Sequence, residues 1–94
     1  MSGEKRKRIA ILVRDRHSEA LRMSVGLIAG DDEINVYIVE KALEESEDII
    51  MYLETLKEMG IKIYTNIEGS PHGEFISTDR IAQGLITYDH ALSY

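Results

Sequence analysis

Ile9-Ala10-Ile11-Leu12-Val13 is an unbroken apolar run, β-branched at three of its five positions. A strand with one wet face alternates apolar and polar residues. One that never alternates has to be covered on both faces, as in the interior of a parallel sheet. A chain that opens on such a strand therefore needs helices on either side of it, and the residues that follow supply them.

From Ser18 to Ala29 the apolar residues stand at 20, 21, 23, 25, 27 and 28. Ser18 is placed to cap this helix, Glu19 suits its first turn, and Gly30 supplies a stop. A turn at Asp31-Asp32 leads into Ile34-Asn35-Val36-Tyr37-Ile38-Val39, a second strand. The next helix is expected from about Ala42 to Met59, with an acidic first half that complements the helix dipole. Leu43, Ile50, Leu53 and Leu56 form its inner stripe and Gly60 ends it. Ile61 to Thr65 alternates as a third strand. The stretch from Ile67 to Phe75 is irregular and holds Gly69, Ser70, Pro71, His72 and Gly73. Ser77 can cap a short helix running through Ile81, Leu85 and Ile86, and Ala91 to Tyr94 reads as a fourth strand.

This βαβαβαβ succession predicts a three-layer α/β/α fold with a four-stranded, mainly parallel sheet, in a single domain spanning residues 1–94. If the first strand is interior, the strand order has to reverse, as in 2-1-3-4 or 3-2-1-4. Either order leaves two helices on one face and one on the other.

Size makes that asymmetry matter. A chain of 94 residues buries roughly 60–65% of its extended surface, and with no cysteine nothing staples the thin core. Self-association is a simple remedy, and a homo-oligomer is expected. Leu21, Met23, Val25, Leu27 and Ile28 on the first helix exceed what one sheet contact uses, so they are the candidate interface.

Charge narrows the other partners. The formal net charge is −6, although Lys5-Arg6-Lys7-Arg8 opens the chain with a basic run. Residues 1–7 read as a flexible basic tail that solubilises the approach to a buried strand. Nucleic acid ranks last among partner classes. No run approaches the ~18–20 apolar residues that span a bilayer, and Ile9–Val13 is too short for a signal segment. A cytoplasmic location without a membrane partner is expected, in keeping with the lack of cysteine.

Ligands of open parallel sheets bind beyond the carboxyl ends of the strands, near the reversal of strand order. Arg14-Asp15-Arg16-His17, Glu40-Lys41 and Thr65 to Phe75 lie at that edge. Two arginines beside a helix N-terminus favour a small anion. There is no glycine-rich phosphate loop, so a nucleotide cradle is not supported. His17 and His72 form an alternative, a small enzyme or metal-binding site with Asp15 or Glu74, but their spacing is no metal-ligand signature. Ser70 and Ser77 lack a nucleophile elbow. The candidate ligand-binding set is Arg14, Arg16, His17, Asn66 and His72, with no catalytic residue, metal or cofactor assigned.

The opening strand Arg8–Val13, the helix Glu19–Leu27, the step Lys57-Glu58-Met59-Gly60-Ile61-Lys62-Ile63-Tyr64 and the close Ile86–Tyr94 together resemble the DsrE/DsrF/DsrH-like family of small sulfur-relay proteins. The resemblance covers nearly the whole chain as a pattern and rests on no single specific motif. It implies a three-layer α/β/α fold, a cytoplasmic location and assembly into dimers or hexamers. Members that relay sulfur carry it as a cysteine persulfide, and this chain has no cysteine to bear one. The resemblance therefore implies a non-relaying relative that is structural, regulatory or small-anion-binding, and no catalytic residue is carried over.

Overall fold

The computed structural model describes residues 7–28, 30 and 32–94. The basic tail up to residue 6, the expected helix end at Ala29 and the first turn residue, Asp31, lie outside the described residues. The order is β1 (Arg8–Val13), α1 (His17–Leu27), β2 (Glu33–Ile38), α2 (Glu47–Glu58), β3 (Lys62–Thr65), β4 (Glu74–Phe75), α3 (Thr78–Leu85) and β5 (His90–Ser93). Every pairing is parallel, and the strands are ordered β4-β3-β2-β1-β5. This is the 3-2-1-4 arrangement with one addition. The sheet has five strands rather than four, because the two-residue β4 pairs Tyr64 with Glu74 and Thr65 with Phe75 inside the stretch read as irregular.

The topology explains the layers. Helices α1 and α2 carry the chain from β1 outward to β3. Helix α3 then carries it back to β5 on the far side of β1. Right-handed crossovers running in opposite directions put their helices on opposite faces. On one face Ile9, Ile11, Val13, Ile34, Val36 and Ile38 of the sheet pack with Ala20, Leu21, Ile49, Leu53 and Leu56 of α1 and α2. On the other, Ala10, Tyr37 and Val39 meet Ile81 of α3, edged by Leu12, Tyr64, Leu85 and Tyr88. There the Tyr37 hydroxyl bonds that of Tyr88 at 2.7 Å. Burial and that bond push the Tyr37 hydroxyl well above the ordinary phenol range.

Local chemistry sets the ends of the helices. Helix α2 begins at Glu47, not Ala42, because Ser46 caps it: its Oγ accepts from the Ile49 N–H. That start turns Ile49, rather than Ile50, into the core beside Leu53 and Leu56. Leu43 is buried as well, from the segment before the helix. Gly60 ends this part of the chain at φ +80°, a conformation open to glycine. Ser77 caps α3 by accepting from the Arg80 N–H. The expected Ser18 cap of α1 is absent: its N-cap is Arg16, with no side-chain cap bond.

The association surface expected on α1 needs correction. His17, Ala20, Leu21 and Ser24 face inward at the spacing of one helical stripe, so Leu21 is fully buried in the chain's own core. Val25, Leu27 and Ile28 pack partly against the same core. Of the five residues, Met23 alone is a largely exposed side chain, at 43%. It borders an open hollow of about 540 Å3 with Glu19, Arg22 and Gly26.

Candidate functional site

The strand order reverses between β1 and β5, and a cleft of about 350 Å3 opens there. Its lining residues are Arg14, Asp15, Arg16, Glu40, Lys41, Ser93 and Tyr94. Ser93 is the last residue of β5, and the others come from just beyond a strand's carboxyl end. The β1 turn is tied to the end of β5, because the Arg14 and Asp15 N–H groups both donate to the Tyr94 carbonyl, at 2.8 and 2.9 Å. Arg14 donates from Nε to Glu40 Oε2 at 2.6 Å and from Nη1 to Ser93 Oγ at 3.3 Å. Lys41 Nζ donates to Asp15 Oδ1 at 2.7 Å. That bond and charge hold the Asp15 carboxyl below its usual range and raise the Lys41 ammonium. The Arg16 guanidinium lies 5.7 Å from the centre of the Tyr94 ring and 3.6 Å from Glu19.

Glu40 takes φ +73°, and among the described residues it is the one non-glycine in the left-handed region. The Lys41 N–H donates to the Val39 carbonyl across it at 2.8 Å, which makes a tight three-residue turn. Such a conformation costs about 1–3 kcal/mol in a non-glycine residue. In return, the Glu40 carboxylate and the Lys41 ammonium meet their partners on the β1 turn.

Glu40 also borders a second, mainly apolar groove of about 250 Å3, walled by Leu12, Val39, Asn66, Thr78, Ile81, Ala82 and Leu85. The expected site is therefore divided. Arg14 and Arg16 share the polar cleft. Asn66 lies on the other side of Glu40, in the groove under α3, where its amide donates to Thr78 Oγ1 at 3.0 Å. His72 pairs with Glu45 at 3.0 Å. His17 is 4% exposed, and among the described residues neither of its ring nitrogens has a hydrogen-bond partner. The two histidines are thus not bonded to each other. Among the described residues no group of three or more His, Asp or Glu side chains is placed to hold a metal ion. No helix among them is long and apolar enough to cross a membrane.

Sequence reasoning placed Glu40 and Lys41 at this edge but not in the candidate set, and it did not include Ser93 and Tyr94. The 3-2-1-4 order carries the signal for those two, since it puts the last strand beside the first. Comparison with protein-family models, with curated proteins and with solved structures returned no match.

Proposed function

We propose that this chain is a non-catalytic, self-associating binding protein that takes a small anion into the cleft at the strand reversal. The observation that carries this reading is the start of α1. Its first turn has no side-chain cap, and Arg14, Arg16 and Lys41 stand around the same opening. Uncapped first-turn N–H groups and the positive end of the helix dipole attract negative charge, and arginine forks bind it bidentately. The cations are occupied by Glu40, Glu19 and Asp15 through ion pairs exposed to solvent. Pairs of that kind are worth under about 1 kcal/mol each, so a doubly charged anion can displace them.

Kinship with the DsrE/DsrF/DsrH-like group belongs to the proposal too, as a cysteine-less, structural or regulatory relative working in a reducing cytoplasm. The parallel α/β/α architecture is compatible with it, and many unrelated activities share such folds.

Thermal unfolding with sulfate, phosphate and nucleotides tests the anion site. An anion present at a hundred times its Kd adds about 2.7 kcal/mol. In a domain of this size that raises Tm by roughly ten degrees or more. Arg14→Ala combined with Arg16→Ala should abolish the rise. No rise with any of these anions, or one that survives both substitutions, refutes the site.

A further inference from the structure

We infer that β5 is the surface on which two copies of this chain join, by antiparallel pairing edge to edge. The inference rests on the self-association in the proposed reading and names where it occurs. The two edges of the sheet are built differently. Strand β4 is two residues long and carries Glu74, the kind of short, charged edge that resists pairing. Strand β5 reads His90-Ala91-Leu92-Ser93, with all four residues exposed. It has no lysine, proline or glutamate to guard it. The main clusters of both faces take no side chain from it, although Leu92 is apolar and 37% exposed.

Its backbone is self-complementary. The Tyr94 N–H donates inward to the Leu12 carbonyl, and its own carbonyl accepts from Arg14 and Asp15. By the alternation of a strand, Leu92 and His90 also bond toward β1. Ala91 and Ser93 then turn their N–H and C=O groups to the open edge. A two-fold axis through Leu92 sets Ala91 of each copy against Ser93 of the other, and each pair exchanges both of its N–H···O=C bonds. Leu92 then faces Leu92, and His90 of one copy faces Tyr94 of the other.

Side chains agree with that register. Leu92 pairs with Ile11 and His90 with Ile9 across β1, so both lie on the face that α1 and α2 cover. Tyr94 packs against the core of that same face. The seam there carries a central leucine pair flanked by two imidazole–phenol pairs, the kind of cross-strand contact that stabilises antiparallel ladders. The other face presents only alanine and serine, which leaves room for close approach. The pairing also gives each cleft a histidine from the other copy, because His90 arrives beside Tyr94, which lines the cleft.

The absence of native cysteine makes a single introduced thiol a clean reporter. Leu92 residues that face each other in a non-hydrogen-bonded pair have Cα atoms about 4.5 Å apart, within the ~4.4–6.8 Å range that a disulfide spans. Light scattering should give twice the chain mass for the full chain at micromolar concentration. A Leu92→Cys variant should cross-link rapidly on mild oxidation, and a Met59→Cys control should not. Ala91→Pro should halve the mass with an unchanged far-ultraviolet spectrum, since it removes an outward N–H and no bond to β1. A monomeric full chain would refute self-association altogether. A dimer that tolerates Ala91→Pro and fails to cross-link through Leu92→Cys would refute this surface alone. A monomer that takes up an extended peptide along β5 would refute the second copy as its occupant.

Discussion

A buried imidazole with two unpartnered ring nitrogens costs its fold free energy, because both atoms gave up water and received nothing in exchange. Among the described residues His17, at the first turn of α1, meets no protein partner at either ring nitrogen. Replacing it with an apolar side chain of similar size removes the cost and keeps the packing. His17→Leu should therefore stabilise the chain by about 1–3 kcal/mol, read as a higher urea midpoint at unchanged slope. A lower midpoint would mean that the imidazole holds the fold through a contact of its own. The sequence does not announce this residue, since Arg16-His17-Ser18 reads as a polar loop. Starting the helix at His17 puts it four residues before Leu21 and seven before Ser24, on the inner stripe. Glu40 was equally illegible, because glutamate has no preference for the left-handed conformation it adopts. Arg14 and Arg16 could be read directly. Their place depends only on where β1 ends, and a solid apolar run marks that.

Elements were most legible where period and punctuation agree. The β1 run, the alternation of β3 and the glycine after α2 each predict the element that forms. Helix α2 was read as too long because its acidic residues Glu44 and Glu45 suit a first turn in charge, whereas Ser46 is the side chain that caps one. Strand β4 had no signal at all, since two residues carry no period. Helix α3 was expected, but not how lightly it is held. It has eight residues, with Ile81 as its one buried side chain, and isolated helices below ~12–15 residues are marginal in water. Ile81→Ala should cost about 2–5 kcal/mol, mostly as local loss of α3. Hydrogen exchange should then show the α3 amides exchanging at the rate of an unstructured chain, with those of α1 and β1 still protected. Equal loss of protection throughout would show that α3 unfolds only with the whole domain.

At the scale of the molecule, shape and charge pull in opposite directions. Among the described residues β5 ends the sheet with no strand beyond it, which favours joining two copies. Each copy carries a formal charge of −6, which opposes it. The β5 seam is held by backbone bonds and a central leucine pair, with no ion pair of its own, so salt should act mainly by screening the net repulsion. Association should therefore strengthen as ionic strength rises from very low values toward about 0.15 M, where the Debye length falls to ≈ 8 Å. An interface built on the Arg14 or Lys41 ion pairs would do the opposite and weaken with salt. Sedimentation of the full chain across that range separates the two cases. A dimer that dissociates as salt is added would shift the contact from the bare strand to the charged cleft.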